Sequence, residues 1–260
     1  GKGSGYTLYQ RWKYFAQRLV DDRGNVISSG DILKAKHEFD TKYAKRRDKA
    51  AFAGDWKEIG PFGYRRGAGW SPGLGRVVAI AVEATNQQLM FAGSPGGGIW
   101  KTTDAGQHWI PKGDALSNMG IWGIGIDPHN NNNIYALDGA GRIIKSTNQG
   151  ESWSEIYDTG ADVWSPHSII FHPSIPGTLL IASNAGVFKS TDNGNSFTNV
   201  LPITYSMQDL AFKPGNPSVV YACGETFHKS TDGGVNFKSN NAPHGDHHDL
   251  WIDPEMPSRM

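Results

Sequence analysis

Short apolar runs separated by polar turns recur along residues 75–260, and they predict β-strands. Runs such as "IGIDPHNNNNIYALDG" (124–139) and "IIFHPSIPGTLLIASN" (169–184) are apolar, stop at a proline-containing turn and restart. A third short run follows each pair, as in "GRIIK" (141–145). Short apolar runs bounded by Gly, Pro and Asn clusters are typical of strands. This part of the chain is therefore predicted to be mostly β.

A recurring phrase closes each of four such units: KTTDAGQHW, KSTNQGESW, KSTDNGNSF and KSTDGGVNF. Each phrase has Asp or Asn at its fourth position, Gly at its sixth and Trp or Phe at its ninth. The Asp or Asn lies at positions 104, 148, 192 and 232, so that the phrases recur at a nearly constant interval. A period of about 40–45 residues is typical of one four-stranded β-propeller blade per repeat.

The phrase itself favours a structural role. An Asp or Asn side chain can hydrogen-bond the nearby backbone, and a Gly two residues later tolerates positive φ, which suits a tight hairpin turn. The closing aromatic ring can then return between neighbouring blades and bury a large area. A calcium loop would need more oxygen ligands at regular spacing. The predicted structural residues are Asp104, Gly106, Trp109, Asn148, Gly150, Trp153, Asp192, Gly194, Phe197, Asp232, Gly234 and Phe237.

These phrases resemble the Asp-box, or bacterial-neuraminidase, repeat. The resemblance implies a β-propeller, as in sialidases, xyloglucan-cleaving glycoside hydrolases, photosystem assembly factors and sortilin-type receptors. In that family the box lies on the outer hairpin of each blade, away from the ligand face. Sialidase activity is not favoured, because "GLGRVV" supplies Arg76 without the Ile-Pro of the sialidase motif.

The segment 1–54 has a different pattern, with apolar residues at helical spacing such as Ile32, Ala35 and Phe39. Residues 1–55 carry 12 basic and 7 acidic side chains, whereas the whole chain has a formal net charge of zero. This asymmetry favours docking within the molecule, and nucleic acid is not predicted as a partner because no binding motif accompanies the charge. We predict a helical N-terminal segment over 1–54, followed by an incomplete Asp-box β-propeller over 55–260.

Composition excludes some classes of protein. No apolar run approaches the roughly 20 residues that span a bilayer, so no transmembrane segment is predicted. Residue 1 is not followed by the apolar stretch of a signal peptide. The single cysteine, Cys223, excludes an intrachain disulfide and is predicted to be a buried free thiol. No cofactor is predicted.

A second resemblance covers most of the chain. The segments "GSGYTLYQRWKYFAQRL" (3–19), "DWKEIGPFG" (55–63) and "HGDHHDLWIDP" (244–254) resemble large secreted Bacteroidota proteins with sortilin-like propellers. This resemblance implies a secreted or cell-surface location, often reached through the type 9 secretion system. From it we predict a non-catalytic module that binds protein or glycan. The alternative is a glycoside hydrolase that acts on polysaccharide.

The channel mouth is the predicted site, because propeller ligands usually bind where the innermost strands begin. Aligning the repeats on Pro128, Pro173, Pro214 and Pro254 places polar and aromatic residues at this point. The predicted ligand-binding residues are Trp122, His167, Gln208, His247 and His248. If the protein is a hydrolase, Asp209 and Asp249 on adjacent inner strands are the candidate catalytic carboxylates. Retaining chemistry needs them about 5 Å apart and inverting chemistry roughly 6.5–9.5 Å.

The cluster "HGDHHD" (244–249) leaves several interpretations open. Imidazole and carboxylate groups suit zinc, could act as acid and base, could contact a glycan, or could simply hydrogen-bond at the start of a strand. The spacing matches none of the common zinc motifs, so no metal site is predicted.

The fifth repeat has an inner-strand run at 248–254 and no box before residue 260. An open propeller exposes a strand edge. Further blades or another chain are therefore predicted to seal it.

Overall fold

A computed structural model of the protein describes residues 34–35, 37–38, 41–42, 76–160, 168–203, 207–240 and 245–260. The chain divides into two units, Gly1–Ile59 and Gly60–Met260. In the first unit the described residues have helical backbone geometry, and Thr41 Oγ1 donates a hydrogen bond to the His37 carbonyl at 2.8 Å. The remainder of the predicted helical segment and its boundary at residue 54 lie outside the described residues and stay a prediction.

The second unit contains four antiparallel sheets, each made of four strands that are consecutive in the chain. Blade 1 has β1 (Ala79–Val82), β2 (Met90–Ser94), β3 (Gly98–Thr102) and β4 (Ile110–Pro111); blade 2 has β5 (Ile121–Ile126), β6 (Ile134–Asp138), β7 (Arg142–Ser146) and β8 (Ser154–Asp158); blade 3 has β9 (Ile169–Phe171), β10 (Leu179–Ser183), β11 (Gly186–Ser190) and β12 (Thr198–Pro202); blade 4 has β13 (Met207–Phe212), β14 (Val220–Gly224), β15 (Phe227–Ser230) and β16 (Phe237–Ser239). The predicted four-stranded blades are confirmed.

Hydrophobic clusters between successive blades form the core. One cluster joins Phe91 of blade 1 to Ile121 and Ile134 of blade 2. A second joins Tyr135 of blade 2 to Leu179 of blade 3. Blades 3 and 4 share a third cluster. Each blade therefore depends on its neighbour for burial, as expected for a repeat that cannot bury its apolar faces alone.

The four inner strands and the segment after blade 4 lead into the same kind of turn, which is closed by a backbone hydrogen bond from the first residue of the turn to a carbonyl near its end. The donor and acceptor residues of these turns are Glu83 and Leu89, Asp127 and Asn133, His172 and Thr178, Lys213 and Val219, and Asp253 and Arg259. The last of these turns shows that a fifth repeat begins.

The predicted fifth inner strand over 248–254 is corrected, because the structure assigns no strand to these residues. Among the described residues no further strand follows to pair with this segment. A strand is defined by its ladder of hydrogen bonds to a neighbour.

The boxes share one hydrogen-bonding pattern, seen clearly at Asp192. Ser190 Oγ donates to Asp192 Oδ1 at 2.8 Å, and the backbone N–H of Ser196 donates to the same oxygen at 2.9 Å. The Gly194 N–H donates back to Ser190 Oγ at 2.9 Å. The equivalent bonds occur at Asp104, Asn148 and Asp232. The Asp or Asn side chain therefore closes the turn by accepting hydrogen bonds from residues of the same nine-residue motif.

The boxes also connect the blades to one another. The box lysine of one blade donates to a backbone carbonyl in the box of the next blade. The three bonds are Lys101 to Gln149 at 3.1 Å, Lys145 to Asn193 at 2.9 Å and Lys189 to Gly233 at 2.9 Å. The closing Trp153 packs on the cluster between blades 1 and 2, and its Nε1 donates to the Lys112 carbonyl at 2.8 Å.

Candidate functional site

A cavity of about 470 Å³ lies where the inner strands begin. Most of its apolar lining residues come from blades 1 and 2 and form an apolar wall, and its polar lining residues come from blades 3 and 4 and the segment after them and form a polar wall. The lining residues are Val78, Ala79, Ile80, Ile124, Ser168, Ile169, Gln208, Asp209, His248 and Asp249. The cavity therefore brings together four of the sequence-predicted site residues, namely Gln208, Asp209, His248 and Asp249.

A β-bulge at the start of β13 decides which side chains enter the cavity. Met207 pairs with Gly224 and Asp209 pairs with Cys223, so that Gln208 is an extra residue without a partner position in the ladder. A bulge re-aims the side chains beside it. The adjacent residues Gln208 and Asp209 therefore both line the cavity, although strict alternation would send them to opposite faces.

Asp209 and Asp249 lie next to each other at the polar wall, where one backbone N–H bridges their carboxyl groups. The Leu250 N–H donates to Asp209 Oδ2 at 2.9 Å and to Asp249 Oδ1 at 2.9 Å. The Leu210 N–H donates to Asp209 Oδ1 at 2.8 Å. The proximity of Asp249 therefore favours the protonated form of Asp209.

The environment of Asp209 favours its protonated form. Burial raises the pKa of Asp209, and its contact with Asp249 raises the pKa further. Hydrogen bonds from Ser168, Leu210 and Leu250 lower that pKa and oppose the effect only in part. Asp249 is exposed to solvent. The pair therefore combines a half-buried acid with a carboxyl group that reaches water.

Cys223 lies behind Asp209 in the neighbouring strand β14 and is fully buried. Burial raises the pKa of the Cys223 thiol to about 12. A protonated, buried thiol is a poor nucleophile. Cys223 therefore packs beneath the site and takes no part in its chemistry.

Two predicted site residues that the structure describes, Trp122 and His247, lie outside the cavity lining. His247 is held against blade 4, because its N–H donates to the Gly224 carbonyl at 2.7 Å. Trp122 occupies a bulge at the start of β5, and the Arg76 guanidinium lies 5.5 Å from its ring centroid. His167 and His244 fall outside the described residues.

Two members of the "HGDHHD" cluster, Asp246 and His248, have exposed side chains that lie close to each other. His248 Nε2 lies 3.3 Å from Asp246 Oδ1. Within the part of the chain that the structure describes, no group of three or more His, Cys, Asp or Glu side chains is arranged to hold a metal ion.

Ser168 is a site residue that the sequence predictions did not include. It lines the same cavity as Asp209, and its side chain lowers the pKa of Asp209. The repeat alignment contained a signal for it, because Ser168 occupies the same position in its repeat as Asp209 and Asp249 do in theirs. The apolar wall of Val78, Ile80 and Ile124 was not predicted as part of the site either.

Comparison with solved structures identifies the architecture. An ancestral GH74 enzyme superposes with a TM-score of 0.58 at 23% identity, covering 65% of this chain and 24% of that one. The GH74 enzyme of Niastella koreensis superposes with a TM-score of 0.53 at 21% identity, covering 66% of this chain and 30% of that one. The fold is a β-propeller. No protein-family model matches the chain.

Comparison with curated proteins leads in the same direction. A xyloglucanase of Acetivibrio thermocellus is 24% identical over 222 residues, which covers 66% of this chain and 26% of the relative. The same match is found for the xyloglucanase of a second strain of that organism. The chain thus spans about a quarter of the length of the curated relatives it matches.

These relatives correct one prediction from the sequence. The main prediction was a non-catalytic binding module of the sortilin-like type, with hydrolysis as the alternative. This preference for binding is wrong. The relatives are xyloglucanases and GH74 enzymes. They support the propeller and favour the glycoside hydrolase alternative.

Among the described residues no helix is long and apolar enough to cross a membrane.

Proposed function

We propose that the protein is, or is part of, a glycoside hydrolase that cleaves a polysaccharide at the propeller channel mouth. The observation that carries this proposal is the carboxyl pair of Asp209 and Asp249 in a cavity of a propeller whose relatives are xyloglucanases. A xyloglucan-type β-glucan is the substrate that these relatives favour. A polymer of this kind does not enter cells, so we further propose that the protein acts outside the cell.

Asp209 is the proton donor in this proposal. A general acid must carry its proton near the working pH, and burial raises the pKa of Asp209 in the required direction. Asp209 gives its proton to the glycosidic oxygen as the bond to that oxygen breaks. Water then adds to the sugar and releases a proton, which the carboxyl pair takes up through the exposed Asp249. The pair thereby returns to its singly protonated state.

The separation of the pair differs from the usual arrangement of two catalytic carboxyl groups. Retaining enzymes hold them about 5–5.5 Å apart and inverting enzymes about 6.5–9.5 Å apart. The Leu250 N–H bridges Asp209 and Asp249 and their side chains are in contact, so this pair is closer than in either arrangement. We assign to this pair the supply and recovery of the proton, and no nucleophile is assigned.

The channel wall supports a glycan as the bound partner. A sugar ring offers an apolar face and polar edges, and the cavity has one apolar wall and one polar wall. Ligand sites of this kind are mostly apolar with a few well-placed polar groups. His248 in the cavity lining and Trp122 outside it stay proposed contacts, and the predicted roles of His167 and His247 stay proposals as well.

The test is hydrolysis by the protein isolated at its natural length. Release of reducing ends from xyloglucan is compared with release from cellulose, xylan and mixed-linkage β-glucan. We expect Asp209→Asn to lower kcat by about 10²–10⁴-fold, the range for a lost general acid. Asp158→Asn is the matched control, since Asp158 is an exposed carboxylate on the outer strand β8, and it is expected to keep full activity.

Two results would contradict the proposal. If no polysaccharide is cleaved, the protein is not a glycoside hydrolase of this kind. If xyloglucan is cleaved at the same rate by the Asp209→Asn variant, the active site lies elsewhere in the protein.

A further inference from the structure

His247 binds one carbonyl oxygen of blade 4 with two donors. Its backbone N–H donates to the Gly224 carbonyl at 2.7 Å, and its ring Nδ1 lies 3.2 Å from the same oxygen. Since a carbonyl oxygen only accepts hydrogen bonds, Nδ1 carries the proton in this contact. The ring also packs against Phe227, with the ring centroids 5.7 Å apart. A hydrogen bond and a ring contact therefore fix the side chain on blade 4.

The Gly224 carbonyl belongs to the strand that aligns Asp209. Gly224 pairs with Met207, and the residue before it in β14, Cys223, pairs with Asp209. The β-bulge that directs Asp209 into the cavity lies between these two pairs. A side chain bound to the Gly224 carbonyl is therefore held in register with Asp209.

Asp249 lies between this anchor and a second one. On its far side, Leu250 and Ile252 pack in a hydrophobic cluster with Tyr221 of blade 4. Between the anchors, the Leu250 N–H donates to Asp209 Oδ2 and to Asp249 Oδ1, both at 2.9 Å. The place of Asp249 and of this N–H beside Asp209 therefore depends on how both ends of the short segment are held.

We infer that His247 is a positioning residue, whose ring N–H anchors the segment 245–250 so that Asp249 and the Leu250 N–H stay beside Asp209. The catalytic meaning of this inference rests on the proposed function. His247 lies outside the cavity lining and acts through the segment that it anchors. A displacement of about 1 Å in a catalytic arrangement can lower a rate by about 10²-fold, so an anchor of this kind affects catalysis without a contact to the reacting atoms.

The experiment compares three variants of the natural-length protein. His247→Ala removes the ring N–H, and His247→Asn restores a side-chain N–H donor of similar reach. The backbone bond to Gly224 is kept in both, so the comparison isolates the side chain. His108→Ala is the matched control, because His108 also contacts one protein group, Asp104 Oδ2 at 2.6 Å, but lies on an exposed hairpin of blade 1.

Two quantities are measured for each variant. The first is kcat and KM on xyloglucan. In His247→Ala we expect kcat to fall by about 10–100-fold, and KM to change by less than about twofold because the cavity lining is intact. Both constants should return towards their original values in His247→Asn and stay unchanged in His108→Ala.

The second quantity is hydrogen–deuterium exchange, measured by mass spectrometry on peptides. In His247→Ala the peptide that contains residues 245–253 should exchange about tenfold faster, because one hydrogen bond that opposes local opening is lost. Peptides from the strands of blades 1–3 should exchange as before. His247→Asn should slow the exchange of 245–253 again, and His108→Ala should leave it unchanged.

The two readouts separate this inference from the proposed function. Unchanged exchange of 245–253 in His247→Ala overturns the inference, whether or not the protein cleaves xyloglucan. Equal exchange in His247→Ala and His247→Asn also overturns it, because the ring N–H then plays no part. Faster exchange that His247→Asn reverses, in a protein that cleaves no polysaccharide, supports the anchor and overturns the proposed function.

Two further results would assign His247 a different role. Faster exchange in all four blades of His247→Ala would show a general loss of stability and contradict a local anchor. A raised KM with an unchanged kcat would show a direct contact with the glycan, and it too contradicts the positioning role.

Discussion

At the scale of single residues, the box carboxylates show how much a turn can lower a pKa. Hydrogen bonds from the side chain and the N–H of Ser196, and from Ser190, lower the pKa of Asp192 to about 2. The pKa values of Asp104 and Asp232 are lowered in the same way. Asn148 occupies the equivalent position in blade 2 and accepts the same N–H bond, from Ser152 at 2.9 Å. The turn thus accepts either side chain, and only the Asp versions respond to pH.

Replacing Asp192 by Asn should flatten the acid dependence of stability. The pKa of Asp192 is lower in the folded protein than its ordinary value of 3.8, so its contribution is present above that value and is lost as the pH falls towards about 2. The measurement is the urea midpoint of unfolding across this range. Asn148→Asp is the opposite control and should steepen the dependence. If the urea midpoint depends on pH in the same way for both variants, the protonation of the box carboxylates is not linked to folding.

At the scale of elements, the glycines of the boxes differ in how closely they approach the preceding blade. Gly234 has φ of 79°, and an added Cβ would lie 2.5 Å from Leu180 Cδ2 of blade 3. Gly106 has a similar φ of 88°, and an added Cβ there would meet only its own Trp109, at 3.7 Å. The two positions share one backbone conformation and differ in contact with a preceding blade.

Substituting alanine at these two glycines should separate backbone strain from crowding between blades. Gly106→Ala is expected to cost about 1–2 kcal/mol, the penalty of left-handed geometry for a residue with a Cβ. Gly234→Ala should cost a further ~1–3 kcal/mol, because the methyl group overpacks the contact with Leu180. Urea unfolding of both variants gives the difference. Equal losses would mean that the interface yields freely at this point.

At the scale of the whole molecule, blade 1 exposes apolar side chains at positions whose counterparts in blade 2 are buried. Ile80 is 61% exposed and Trp100 is 36% exposed, whereas the corresponding Ile124 and Ile144 are 7% and 6% exposed. In blade 2 these positions are covered by blade 1. We propose that another propeller blade covers the same positions of blade 1 in the natural protein, as the predicted sealing of the open edge requires.

The mass of the natural protein should show which chain supplies that blade. We compare its denatured mass from mass spectrometry with its native mass from light scattering. A denatured mass well above that of the present sequence indicates further blades on the same polypeptide, which the relatives' greater length favours. A denatured mass equal to that of the present sequence, with a multiple of it in the native state, indicates another chain. The mass of a single copy of this sequence in both measurements would contradict the proposal.

The sequence by itself determined the repeat, the strands and the turn chemistry. These follow from patterns within about 45 residues, namely apolar runs, proline turns and the recurring box, and each is local enough to be seen without a structure. It also placed Asp209 and Asp249 at equivalent positions. The prediction of a non-catalytic binding function was wrong, because enzymes and binding proteins share the blade motif.

Only the tertiary structure decided what the carboxyl groups do together. The Leu250 N–H donates a hydrogen bond to the Asp209 side chain, so this contact joins residues that are 41 positions apart in the chain. The bulge at Gln208, which turns adjacent side chains into one cavity, depends on how β13 pairs with β14. Pairing and burial arise from the folded chain as a whole. A residue pattern therefore predicts that two acids are near the channel, and the fold determines that they lie next to each other and that burial raises the pKa of Asp209.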